Sequence, residues 1–147
     1  MKGLNQLRDE IHANAVAKGF YQVENETDQI GVDNRTAIKH AFFAQKIALI
    51  HSELSEALEA DRNNKRADME AYYENLKEMD GIKESEIPNY MIYLYKRFVK
   101  GSVDEEVADV IIRIFDMCGK QNIDIEKHVE LKMEYNKQRE YKHGKEY

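Results

Sequence analysis

Apolar residues recur along this chain every three or four positions, the spacing of helices and not of strands. The clearest row lies between Ser102 and Lys120, where Val107, Val110, Ile111, Ile114, Phe115 and Cys118 share one face. Ser102 followed three residues later by Glu105 forms a capping box that predicts where this helix starts. Residues 3 to 19 read as a first helix, with Leu4, Leu7, Ile11 and Ala15 aligned and Gly19 as its terminating glycine. Thr36 to Asn63 reads as a second long helix with Ile47, Ile50, Leu54, Ala57 and Leu58 on its apolar face. Asp124 is a good N-cap for a last helix that runs to Arg139 and carries Ile125, Val129, Leu131 and Met133.

Two stretches lack this pattern. Residues 22 to 35 are polar and aperiodic, which predicts a loop. Residues 61 to 100 are harder to read: 66 to 79 have a helical composition, Asp80-Gly81 marks a turn, and Ser85 is placed to cap a helix over 86 to 99, whose first turn tolerates Pro88. This segment holds Tyr72, Tyr73, Tyr90, Tyr93, Tyr95 and Phe98, a concentration of aromatics that suits a packing face or a subunit contact. With one proline, seven glycines and 34% charged residues, the chain has little turn punctuation and few strand-like runs. The expected fold is an all-α helical bundle, and 147 residues suit a single domain over 1–147.

Composition narrows the partners. No stretch approaches 18 consecutive apolar residues, so no membrane span is expected. The start, MKGLNQLRDEIHANA, has no apolar segment of the secretory kind, and the lone Cys118 has no internal disulfide partner. Together these lead to the expectation of a cytoplasmic protein, with Cys118 as a small core residue. The net charge of −6 argues against a general nucleic-acid binder. It leaves room for a small anionic ligand held through metal ions.

Acidic residues three apart occur at Glu53/Glu56, Glu56/Glu59 and Glu106/Asp109, and Asp116 follows Asp109 seven residues later on the same side. Glu53, Glu56, Glu106 and Asp109 flank apolar rows on two separate helices, Glu106 at the edge of its row. Packed side by side, those helices would gather four carboxylates, which repel one another and raise each other's pKa. A pair of hard divalent cations removes that problem, and Mg²⁺ takes oxygen ligands while keeping waters and phosphates in its shell. The plainer reading is two helices with acidic flanks paired to Lys and Arg. Arg113, one turn after Asp109, is such a partner within its helix, and Asp9/His12 reads as an exposed ion pair or capping contact.

ELSE at 53 to 56 and EVAD at 106 to 109, each inside an apolar helix, resemble the ExxE and ExxD motifs of the all-α nucleoside triphosphate pyrophosphohydrolase superfamily. That group includes MazG-like proteins, dimeric dUTPases and dCTP pyrophosphatases. The longer strings KIALIHSELSEALEADR, EEVADVIIRIFDMCG and IDIEKHVELKMEYNKQREYKHGKEY resemble a small, single-domain MazG-like branch. The resemblance implies a helical homodimer or homotetramer that hydrolyses a nucleoside triphosphate to the monophosphate and pyrophosphate with Mg²⁺, or Mn²⁺ in its place. It implies Glu53, Glu56, Glu106 and Asp109 as metal ligands, with Glu53 and Glu56 as catalytic residues and Glu56 orienting or deprotonating the attacking water. It implies Lys132, Asn136 and Arg139 on the last helix, and Tyr141, Lys142, His143 and Lys145 in the tail, as triphosphate ligands. Phe20, Tyr21, Asn14 and His12 match the place where this branch holds the base. The chain departs from the pattern in one respect: Glu56 and Glu106 are 50 residues apart, and 64–98 reads as a helical insertion. If the insertion displaced the second acidic helix, the carboxylates would not converge.

Two other readings compete. An oxidative di-metal bundle needs Glu-x-x-His on two core helices, and the only such pair is Glu140/His143 in the polar tail. A non-catalytic helical module that regulates a partner would have no need to gather four carboxylates.

Overall fold

The computed structural model describes residues 2–29, 35–79 and 81–139. All regular structure among those residues is helical, without a strand among them. In chain order the helices are α1 (Leu4–Ala17), α2 (Gln22–Gln29), α3 (Arg35–Arg62), α4 (Met69–Lys77), α5 (Ile87–Phe98), α6 (Val103–Lys120) and α7 (Ile125–Lys137). None of the described helices is long and apolar enough to cross a membrane. The chain divides into two compact units: Met1–Phe43 with Ile114–Tyr147, and Ala44–Arg113.

In the first unit α1 packs on α7. Asp124 caps α7 by accepting from the Lys127 amide at 3.0 Å, as its position before the apolar row predicts. Its Oδ1 also accepts from Asn5 Nδ2 at 2.7 Å, which ties the start of α1 to the start of α7. Arg8 donates to the Ile123 carbonyl just before that cap. Gly19 has φ +82°, and the Gly19 and Phe20 amides return to the carbonyls of Val16 and Ala15, so the glycine does terminate α1. Gly119 is required for a different reason. A Cβ there would stand 2.5 Å from the Cβ of His12, so only glycine lets α1 approach α6 this closely.

Three expectations in this unit need correction. Residues 22–29 form α2 and not a loop. The segment QVENETDQ has a single apolar residue, the exposed Val23, so hydrophobic periodicity cannot reveal it. It is held instead by polar contacts: Gln22 to Glu26 at 3.0 Å, the Thr27 hydroxyl to the Val23 carbonyl at 2.8 Å, and a buried Glu24 within 3.4 Å of Lys120. His12 does not pair with Asp9, which goes to Arg8, but with Asp116. Finally, α7 ends at Lys137, two residues short of the expected end, and its Val129, Leu131 and Met133 are exposed.

In the second unit α4 and α5 form a packed hairpin between α3 and α6. Asp68 caps α4 through the Ala71 amide at 2.9 Å. Ser85 does not cap α5; the N-cap is Glu86, which makes no side-chain cap bond, and Pro88 sits in the first turn where its missing N–H costs nothing. Leu94 of α5 is fully buried. The two ends of this excursion are joined directly: the Val103 amide donates to the Lys65 carbonyl at 3.1 Å, and the Ala67 amide to Asp104 Oδ2 at 3.0 Å. The chain therefore leaves α3 and comes back to the same place, and the 64–98 segment does not push α6 away from α3.

Candidate metal centre

On α3 the buried row within this unit is Ile50, Glu53, Ala57 and Ala60; on α6 it is Ser102, Glu106 and Val110. Each row contains a glutamate where periodicity predicts an aliphatic residue. Leu54 and Leu58, and Val107 and Ile111, which the pattern assigns to the core, are exposed instead. In each helix the inward face is thus turned by about one residue, roughly 100°, toward the carboxylates. Glu106 lies within the buried row and not at its edge.

The helix that carries Glu106 is fixed at its start. Ser102, 3% exposed, accepts from the Glu105 amide at 3.1 Å through its hydroxyl. The return arm of the capping box reaches one residue further than the usual pattern, because Glu105 Oε2 accepts from the Gly101 amide. Glu105 Oε1 accepts from the Tyr95 hydroxyl at 2.8 Å. Burial, then this bond to Glu105 and the charges of Glu105, Asp109 and Glu106, push the Tyr95 phenol up to about 12. Both oxygens of Glu105 are thereby engaged, and the next carboxylate on the helix, Glu106, is the one that turns inward.

Glu53, Glu106 and Asp109 each bring a carboxylate oxygen into a group whose members all lie within 4.8 Å of one another. Glu53 is 7% exposed and Glu106 9%. Glu106 and Asp109 accept no hydrogen bond and form no ion pair with any described residue. Burial raises the Glu106 carboxyl above its ordinary value, and the charges of Glu56, Glu105, Glu53 and Asp109 raise it further. Asp109 is raised in the same sense, first by burial and then by Glu53 and Glu105, while Arg113 pulls it back.

Arg113 is the one cation in contact with the trio among the described residues. It stands one turn after Asp109 but its guanidinium goes to Glu53 on the other helix, with Nε at 2.6 Å and Nη2 at 2.5 Å from the same Oε1. Sequence spacing alone pointed to Asp109 because it shows only neighbours along one helix. Glu56 lies outside the trio: it is exposed, and its Oε1 accepts from Ser52 at 3.4 Å. Its charge still reaches Glu106.

The remaining expected ligands belong to the first unit or fall outside the described residues. Lys132, Asn136 and Arg139 are exposed, and the two cations lie 4.8 and 5.8 Å from the centre of the Tyr135 ring. Tyr141, Lys142, His143 and Lys145 lie outside the described residues, as does Glu140. Of the base-site candidates, Phe20 is 79% exposed and Asn14 is exposed on α1. Tyr21 is not an open platform. It is 2% exposed, its hydroxyl donates to Asp116 Oδ2 at 2.8 Å, the His12 ring packs edge-on against it, and Lys120 lies over its face. Asp116 is shared between Tyr21 and His12 Nδ1, also at 2.8 Å, so it acts as the anchor of that network. Cys118 is buried as expected, and burial pushes its thiol up, which suits an inert core residue.

No protein-family model, curated protein or solved structure matches the chain. What the site can do is therefore read from its own residues. Three carboxylates with a single guanidinium leave an excess of negative charge at a buried position. A donor set made only of carboxylate oxygens fits a hard divalent cation such as Mg²⁺ or Mn²⁺ better than a soft one.

Proposed function

We propose that the protein is a Mg²⁺-dependent nucleoside triphosphate pyrophosphohydrolase of the MazG-like kind, acting in the cytoplasm on a (deoxy)nucleotide as a housecleaning enzyme. The observation that carries this reading is Glu106: nine-tenths buried, without a donor, and converged with Glu53 and Asp109 from the two helices that bear ELSE and EVAD. A carboxylate kept in that position costs stability unless a cation answers it.

Glu53, Glu106 and Asp109 would hold Mg²⁺, or Mn²⁺. Bound there, the ion supplies charge stabilisation to a phosphoryl group. Glu56, exposed one turn from Glu53, is free to orient a water molecule or take its proton. That water adds to phosphorus and the anhydride bond between the α- and β-phosphates breaks, giving the monophosphate and pyrophosphate. The protons released pass to Glu56 and then to solvent. Lys132, Asn136 and Arg139, with Tyr141, Lys142 and His143 beyond them, are the proposed triphosphate ligands, since their donors suit phosphate oxygens.

The protein acts as a homodimer or homotetramer in this reading. The outward-turned Leu54, Leu58, Val107 and Ile111 supply an apolar surface that favours association. That same surface also favours the second reading, a non-catalytic module that binds a partner on this fold.

A pyrophosphate-release screen over common and modified NTPs and dNTPs separates the two. Release that requires Mg²⁺, stops with EDTA and is lost in Glu106→Gln supports the enzyme. No release from any nucleotide by folded wild-type protein sinks it in favour of the module.

A further inference from the structure

Four gathered carboxylates call for a pair of divalent cations, but the geometry of Arg113 points to a different count. Its Nε and Nη2 converge on one oxygen of Glu53, Oε1, and leave Oε2 without a hydrogen bond or ion pair to any described residue. Glu53 therefore has one oxygen answered by the guanidinium and one still to be answered. Glu106 and Asp109 have neither oxygen answered. Glu56, whose charge a second ion would need, is exposed and outside the trio. Three carboxylates carry three negative charges. Arg113 supplies one positive charge, and a single divalent cation supplies the other two. Within the trio the sum is zero with one ion, whereas two ions would leave an excess positive charge there, which is costly unless an anionic ligand arrives with it. Glu56 and Glu105 also act on Glu106, but Glu56 is exposed to water and both oxygens of Glu105 are held by the Tyr95 hydroxyl and the Gly101 amide.

We infer that Arg113 is the built-in second cation of this centre, so that the ligand-free protein binds one divalent ion and not two. The inference rests on the proposed metal centre and adds its stoichiometry and its fixed positive charge. Arginine suits this place because its guanidinium stays charged even when half-buried and does not give up its proton. The Arg113 side chain is 40% exposed, and its Nη1 has no partner among the described residues. That nitrogen remains available to an anionic oxygen of a ligand without letting go of Glu53. Arg113 is thus a positioning residue for Glu53 and a second positive charge beside the ion.

Mn²⁺ serves as the probe, since equilibrium dialysis counts it and its electron paramagnetic resonance spectrum distinguishes isolated from coupled ions. Wild type, Arg113→Lys and Arg113→Gln are titrated without nucleotide, and each is shown to be folded by circular dichroism. The expected result is one uncoupled Mn²⁺ per chain in wild type and in Arg113→Lys, and a second, coupled Mn²⁺ in Arg113→Gln, where Glu53 Oε1 is released. Two ions in wild type, or one ion in both wild type and Arg113→Gln, overturns the inference while leaving the metal centre standing. No bound ion in wild type removes the metal centre itself, and this inference with it.

Discussion

Arg113 and Glu53 are joined through a single oxygen: two guanidinium nitrogens of α6 reach Oε1 of the α3 glutamate, at 2.6 and 2.5 Å. The pair is unequal, because Glu53 is buried and the Arg113 side chain is 40% exposed. Losing the arginine leaves a buried carboxylate beside two others with no counter-charge. Breaking a fully buried pair costs about 3–5 kcal/mol, and water around Arg113 screens part of that. Arg113→Ala is expected to destabilise the metal-free protein by about 1–2 kcal/mol, and Mg²⁺ to restore part of the loss. Thermal melts with and without Mg²⁺ check both statements; a variant as stable as wild type without the ion contradicts the first.

Glu106 carries the opposite prediction. The residue is 9% exposed, and its carboxylate makes no hydrogen bond to a described residue and is surrounded by like charge, so replacing it with a neutral isostere relieves the fold. Glu106→Gln is expected to raise the melting temperature of the metal-free protein by roughly 3 °C, the equivalent of about 1 kcal/mol for a chain of this size. The same change is expected to abolish the stabilisation by Mg²⁺. A residue kept for stability would lower the melting temperature when replaced, so the direction of the shift tells a ligand from a structural group.

The acid titration has a definite sign. Glu106 and Asp109 both bind a proton more readily in the folded state than in the unfolded chain. Their contribution favours folding below the unfolded values and is lost as pH rises through the raised folded values. Asp124, lowered by its bonds from Asn5 and the Lys127 amide, works the other way and loses its contribution only in stronger acid. The metal-free protein is therefore expected to lose stability as pH rises from the ordinary carboxylate range through the raised values of Glu106 and Asp109, and the loss is expected to disappear in Glu106→Gln/Asp109→Asn and under saturating Mg²⁺. Urea unfolding across a pH series measures it. Equal slopes in wild type and the double variant would count against carboxylates that titrate late.

In the first unit, stability hangs on the network around Asp116. Tyr21→Phe removes one hydrogen bond to a part-buried carboxylate and is expected to cost about 1.5–3 kcal/mol. Gly119→Ala forces a Cβ into the His12 side chain and is expected to cost about 1–3 kcal/mol, since the obstacle is the His12 Cβ and not a movable tip. Both residues belong to the first unit and the acidic trio to the second, so Mg²⁺ is expected to stabilise both variants to the same extent as wild type. A Mg²⁺ response lost in Tyr21→Phe would show that this network does more than hold α1 and α6.

How much of this was legible in the sequence follows from which interactions are local. Ser102, Asp124 and Gly19 announce helix ends because capping acts over three or four residues, and the structure uses all three. Spacing singles out four carboxylates, Glu53 and Glu56 on one helix and Glu106 and Asp109 on the other; Glu53, Glu106 and Asp109 come together and Glu56 does not, because spacing cannot show which member of a pair faces the other helix. The direction in which each helix faces was not. Leu54 and Val107 outweigh Glu53 and Glu106 in any reading of hydrophobic rows, yet the glutamates are the buried members. Helix α2 was hidden for a related reason, since polar contacts hold it and leave no apolar trace. The partners of Arg113 and His12 lie 60 and 104 residues away, beyond the reach of spacing.

The most direct measurement is the anomalous scattering of Mn²⁺ in crystals of the wild-type protein grown with that ion. The expected result is a peak within bonding distance of carboxylate oxygens from Glu53, Glu106 and Asp109, with Arg113 still on Glu53 Oε1. A metal-loaded crystal with no peak among those three side chains, or with its peak on exposed carboxylates such as Glu56 and Glu59, would contradict the proposed centre.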